Sequence, residues 1–275
     1  MDRPSSPTTI NNLGGLLYAQ GRLDEAQPLL EEALAGYRAA LGEAHPDTLT
    51  SIGILGLLLQ SQGRLNEAQP LLEEALVGYR AAQGEAHTDT LASVNNLGLL
   101  LKDRGRLDEA QPLLEEALAG RRAALGAAHP HTLTSVNNLG LLLKKQGLLD
   151  EARPLLEETL AGRRAALGEA HPHTMASVNN LGTLLQDQGR LDEAQPLLEE
   201  ALAGRHAALG EAHPDTLASG NNLANLLFAQ GQLEEALLLL EQVLAGYNVT
   251  LGESHPDAQN ARRGVEMLRK KLGAR

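Results

Sequence analysis

His45, His87, His129, His171, His213 and His255 recur at a constant step of 42 residues. Gly21, Gly63, Gly105, Gly147, Gly189 and Gly231 keep the same step, as do Gly42, Gly84, Gly126, Gly168, Gly210 and Gly252. A fixed period in the range of about 20–50 residues commits a chain to stacked copies of one supersecondary unit, each touching only its neighbours. Such a chain builds a long surface rather than one enclosed pocket. Its function is to be sought in what that surface holds.

Residues 89–130 illustrate the unit. Over about 90–103, Leu91, Val94, Leu97 and Leu101 lie three or four apart, an apolar stripe of helical period. Asp89 or Thr90 can cap the start of this helix, and Gly105 can end it in a left-handed conformation. A second helix is predicted over about 108–125, with Asp108 as its N-cap, Glu109 favoured by the helix dipole and Gly126 at its end. Its buried face is expected to hold Leu113, Leu114, Ala117, Leu118 and Ala124. Pro130 opposes helix at His129 and favours a fresh start after it. Gly98, Ala110 and Ala117 mark where backbones approach closely.

Neither stripe can be hidden by one helix, so the pairs must stack into an all-α array. The units read as 5–46, 47–88, 89–130, 131–172, 173–214 and 215–256 of a single domain spanning 1–275, with helix pairs beginning near 8, 50, 92, 134, 176 and 218. A last helix, about 257–272, puts Ala261, Val265, Leu268 and Leu272 on one face and reads as a cap.

Composition narrows the function classes. The chain has no cysteine, which excludes disulfides, thiolate metal sites and thiol nucleophiles. Its net charge of −12 argues against nucleic acid as a partner, because phosphate binding rests on clustered cations. The units at 89–130 and 131–172 sum to −1 and 0, the unit at 215–256 to −5 and the tail 257–275 to +4, so acidity is lowest in the middle. No apolar run approaches the ~20 residues of a membrane span, and the N-terminal residues lack the apolar stretch of a secretory signal. A cytoplasmic protein without membrane contact is expected.

The segments NNLGLLL, GRLDEAQPLLEEAL and LGEAHPDTL resemble tetratricopeptide repeats of the kinesin light chain type, which also occur in nephrocystin-3-like proteins. The family's small-residue positions match Gly98, Ala110 and Ala117, and its large core positions match Val94, Leu97, Leu101 and Leu114. The resemblance covers almost the whole chain. It implies a right-handed α-solenoid of six helix-turn-helix repeats plus a C-terminal capping helix. It also implies a cargo or adaptor scaffold whose ligands lie on a concave face lined by the first helix of each pair, with a kinesin motor chain or another multiprotein complex as partner. Kinesin light chains carry a heptad coiled coil ahead of their repeats. No heptad run precedes the first repeat helix here, so the chain is expected to be either a fragment or something other than a working light chain.

On that face the stripe complementary to the core is Ala92, Asn95, Leu99, Lys102 and Asp103. Asn95 recurs as Asn11, Asn137, Asn179 and Asn221, each followed by a second asparagine, and Gly53-Ile54 replaces the pair in the second unit. Carboxamides both donate and accept, so a spaced row of them can hold the main chain of a peptide, or can instead bond between adjacent units. Lys102, Lys144 and Lys145 occupy the far end of the stripe and suit acidic side chains, unless they are simply solvated. The candidate peptide-binding residues are therefore Asn95, Asn137, Asn179, Asn221, Lys102, Lys144 and Lys145, for a protein or peptide partner of acidic character. The periodic histidines lie roughly 10 Å apart from loop to loop, given helix packing distances, too far to share a metal ion. Six equivalent copies of each acidic pair do not make one catalytic constellation, and no nucleotide loop or cofactor motif stands out. The chain is expected to be a protein-binding scaffold and not an enzyme. The alternatives are a self-assembling structural array or the sensor arm of a larger signalling protein.

Overall fold

A computed structural model describes residues 6–273. The described residues form thirteen helices and no strand. The first helix of each pair is α1 (Pro7–Ala19), α3 (Pro46–Ser61), α5 (Thr88–Asp103), α7 (Pro130–Lys145), α9 (Pro172–Asp187) and α11 (Pro214–Ala229). The second helices are α2 (Leu23–Leu41), α4 (Leu65–Gln83), α6 (Leu107–Leu125), α8 (Leu149–Leu167), α10 (Leu191–Leu209) and α12 (Leu233–Thr250), and α13 (Pro256–Gly273) follows them. The chain falls into two compact units, one ending at Leu142 and the other beginning at Leu143. In the first, α1 packs on α2, α3 on α4 and α5 on α6, and α2–α3 and α4–α5 join successive pairs. In the second, the same pattern runs through α8–α9, α9–α10, α10–α11, α11–α12 and α12–α13.

The periodic histidines start the helices. His45 Nδ1 accepts the backbone N–H of Asp47 at 3.2 Å, and His87, His129, His171, His213 and His255 repeat the bond at 3.1–3.2 Å. Each satisfies one of the amides a helix N-terminus leaves unpaired. The expected cap at Asp89 or Thr90 is therefore displaced to His87, and α5 begins at Thr88 rather than near 92. The starts at Pro46, Pro130, Pro172 and Pro214 are earlier than expected for the same reason. Thr90 instead donates its hydroxyl to the carbonyl of Gly84 at 2.8 Å, and Thr48 and Thr174 do the same to Gly42 and Gly168. Asp108 is likewise no cap: α6 begins at Leu107, so Asp108 lies in its first turn, beside the Arg106–Glu109 pair at 2.6 Å.

Gly105, at φ 75°, lets the chain reverse while Arg106 N–H bonds back to Leu101. Across the turn, a methyl group on Gly98 would stand 2.8 Å from Leu114, so the absent side chain is what lets α5 and α6 close. Leu114, Ala117 and Leu118 are buried in α6 together with Ala110, but Ala124 is exposed and the next buried position after Leu118 is Arg121. The spacing 114, 117, 118, 121 keeps one helical face, whereas 124 has turned away from it.

In the second unit α13 buries Ala258, Ala261, Val265 and Leu268 in a cluster with α12. Its cations are engaged locally: Arg269 pairs with Glu241 at 2.7 Å, Arg262 with Glu253 at 3.3 Å, and Lys271 lies 4.4 Å over the Phe228 ring.

Candidate peptide-binding face

The asparagines of the first helices form a ladder between units. Asn138 Nδ2 donates to Asn95 Oδ1 at 2.9 Å, and both side chains are buried. Asn222 Nδ2 donates to Asn179 Oδ1 at 3.0 Å, where the Ser219 hydroxyl also reaches 3.4 Å. Each rung joins the first asparagine of one unit to the second asparagine of the next, 43 residues on. The lower dielectric around buried carboxamides strengthens such bonds. Asn137 is buried too, and Asn221, in the last unit, is half-buried. Asn95 thus belongs to the buried face rather than to an exposed stripe, and Asn95 and Asn179 offer a ligand their N–H groups more readily than their oxygens.

The ladder lapses on both sides of the second unit, where Gly53 also stands in place of the asparagine that would begin the rung to Asn96. Ile54 stands where the rung to Asn11 needs an amide, and Asn11 Oδ1 is buried without a hydrogen-bond partner among the described residues.

A second ladder runs along the C-terminal ends of these helices at the same step of 43. Tyr18 meets Ser61 at 3.3 Å, Gln60 Nε2 donates to Asp103 Oδ2 at 2.6 Å, and Lys144 lies 3.3 Å from Asp187. Lys144 Nζ also donates to the Thr183 hydroxyl at 2.8 Å and is only one-fifth exposed. Lys102 is as little exposed, 3.9 Å from Asp103, whereas Lys145 is exposed. The structure therefore places Asn95, Asn137 and Lys102 in the first compact unit and Asn179, Asn221, Lys144 and Lys145 in the second.

The second helices carry two further columns that the sequence did not reveal. Arg38 pairs with Glu74, Arg80 with Glu116 and Arg164 with Glu200, each at 2.7–2.8 Å, from one repeat to the next. One residue earlier in each unit, Arg121, Arg163 and Arg205 are buried and donate to Ser135, Ser177 and Ser219 at 2.8–2.9 Å. Burial pushes these guanidinium groups down from their ordinary range. Backbone carbonyls of His131, His173 and Asp215 supply the further acceptors. In the second pair Tyr79 holds the same position and meets the Thr50 hydroxyl at 2.7 Å. The signal was present as a repeated Arg-Arg dipeptide, but only the tertiary structure shows which arginine is turned inward.

This geometry defines an all-α helix-pair repeat array. The family model for the tetratricopeptide repeat matches residues 5–81, 89–165 and 173–248, and the chain belongs to that family, with repeats of the kinesin light chain type. It is similar to the nearly identical TPR-like repeats of a Podosopora anserina kinesin light chain. That match has 34% identity and a TM-score of 0.61 and covers 75% of this chain and 98% of that one. It is also similar to BtubC (BKLC) from P. vanneervenii, at 25% identity and a TM-score of 0.65, over 82% of this chain and 94% of that one. The Rap conjugation gene regulator of the plasmid pLS20, in complex with the Phr* peptide, shares the fold at 15% identity. There the TM-score is 0.64, over 94% of this chain and 73% of that one. None of the curated proteins matches the chain. Among the described residues no helix is long and apolar enough to cross a membrane, and no group of three or more His, Asp or Glu is placed to hold a metal ion.

Proposed function

We propose that this chain is a non-catalytic cytoplasmic scaffold that holds a partner peptide along the first helices of its repeats, in the groove that tetratricopeptide arrays present there. The observation that carries this reading is the presence, in each compact unit, of amides and cations on the first helices of a repeat family whose role is protein interaction. Asn95, Asn137, Asn179 and Asn221 are the proposed contacts for the peptide main chain. Lys102, Lys144 and Lys145 draw acidic side chains. Lys144 donates to the Thr183 hydroxyl and forms an ion pair with Asp187 at 3.3 Å. The partner is thus an acidic peptide segment, from a motor-associated or another multiprotein complex.

Charge reversal at Lys144 would set a carboxylate against Asp187 and confuse binding with folding. The test is therefore the neutral pair Lys144→Gln and Lys145→Gln. A partner peptide is first identified by affinity capture and mass spectrometry, then titrated by fluorescence anisotropy. Affinity is expected to fall about tenfold, with a smaller salt dependence, while the melting temperature stays nearly constant. Unchanged affinity and salt dependence would remove these lysines from the site.

A further inference from the structure

Between α10, α11 and α12 of the second compact unit lies a cavity of about 380 Å³, within the range typical of small-molecule sites. Its walls include Leu202, Leu217, Leu223, Leu239 and Val243. The hollow one repeat earlier, at Glu157, Leu160, Arg164 and Glu169, is not lined by the equivalents of Thr216, Gly220 and Val243. Two departures from the period and one unpaired hydroxyl set the cavity between α10, α11 and α12 apart.

The first is at the floor. Position 220 is glycine where the three preceding repeats have Val94, Val136 and Val178, while Val243 replaces the alanine seen at Ala117 and Ala201. A methyl on Gly220 would stand 2.8 Å from Val243, so the two changes are coupled.

The second is at the rim. His206 and Gln242 stand where Arg164 and Glu200 make their inter-repeat bridge. With no arginine there, Glu211 has no ion pair among the described residues, whereas Glu43, Glu85 and Glu169 are each paired with an arginine at 2.7–2.8 Å. Glu199 also lines the cavity, its Oε1 accepting from Gln195 at 2.8 Å. Residues 215–256 contain no Lys or Arg to neutralise this rim.

The third is inside. Thr216 lines the cavity, is 3% exposed, and its Oγ1 has no hydrogen-bond partner, although Thr48, Thr90 and Thr174 donate to a glycine carbonyl. A buried polar group left unpaired calls for a partner.

We infer that this cavity is a binding site for a small organic cation: a primary amine with a compact apolar body. The apolar body fills the space over Gly220, Thr216 supplies a hydrogen-bonding group, and Glu199 and Glu211 oppose the positive charge. The cavity takes Thr216, Leu217, Gly220 and Leu223 from α11 but not Asn221, the residue of that helix in the proposed peptide-binding set.

The experiment is a titration of the full chain with phenethylammonium, followed by backbone amide shifts, with phenylacetate as the oppositely charged control. Saturable shifts centred on Leu217, Gly220 and Val243 are expected, with phenylacetate at least tenfold weaker. The double substitution G220V/V243A restores the pairing found in the preceding repeats, so it should fold and lose at least tenfold in affinity. Thr216→Val fills the same volume without the hydroxyl and should also weaken binding severalfold. No saturable shifts with phenethylammonium, or equal affinity in folded G220V/V243A, would overturn the site. Equal binding of phenylacetate would overturn its preference for a cation.

Discussion

Two rungs of one ladder, both in the first compact unit, show what the 42-residue period is for. At Asn95 and Asn138 the rung is complete, with two buried carboxamides sharing a 2.9 Å bond. At Asn11 the equivalent partner is Ile54, and the oxygen is buried with nothing to accept. Both asparagines stand on the first helix of their repeat, Asn11 on α1 and Asn95 on α5. What differs is whether the period carries through to the next unit. Where it does, polar side chains fasten neighbour to neighbour; where it lapses, a group is released. The lapse at Gly220, His206 and Gln242 follows the same rule and opens a cavity.

The comparison can be broken or sharpened by substitution. Beneath the intact rung, Leu114 is fully buried against Gly98. Leu114→Ala should cost about 2–5 kcal/mol in chemical denaturation, the largest effect considered. Asn138→Ala leaves Asn95 Oδ1 in the state of Asn11 Oδ1 and should cost about 1–3 kcal/mol, reproducing the broken rung inside the array. The converse, Ile54→Asn, completes the rung to Asn11 and should gain about 0.5–1.5 kcal/mol, less the apolar area given up. If Ile54→Asn instead destabilises while Asn138→Ala is neutral, the ladder contributes nothing. Arg80→Gln removes the half-exposed bridges to Glu85 and Glu116, and should cost only about 0.2–1 kcal/mol, decreasing in high salt.

The smallest effect is a pH dependence. Burial, and then the neighbouring Arg163 and His171, hold His173 below its ordinary value of 6.5. The folded state therefore favours the neutral ring, and the stability this gives is present above about pH 6.5 and is lost as the pH falls below it. Melting temperatures measured down to pH 5 should decline slightly, and His173→Gln should flatten that decline. Stopping at pH 5 keeps the measurement clear of Glu25, Glu67 and Glu109, whose hydrogen bonds to arginine hold them below the usual carboxylate value of 4.5.

The fold was legible because burial repeats. Val94, Leu97, Gly98 and Leu101 follow helical spacing in one unit and recur in the others, and all four are buried. The helix starts were misplaced by about four residues because histidine is not among the usual capping residues. Its Nδ1 acts here as a serine or aspartate oxygen would. The role of Asn95 was only half legible. An asparagine on a helix gives no sign whether it faces solvent or the next unit, and the contact that decides it lies 43 residues away. Arg121 and Arg122 are indistinguishable as a dipeptide for the same reason, yet one is buried and the other exposed. The cavity was written in the sequence as departures from period, Gly220 with Val243 and His206 with Gln242. Its volume, and the unpaired hydroxyl of Thr216, required the packed structure.

The central claim is that second helices and ladders hold the repeats together while the first helices receive a partner. It is tested most directly by hydrogen exchange of the full chain with and without its captured peptide. Added protection concentrated on α5, α7, α9 and α11 is the expected result. Protection confined to α6, α8 and α10, with the first helices unchanged, would contradict it.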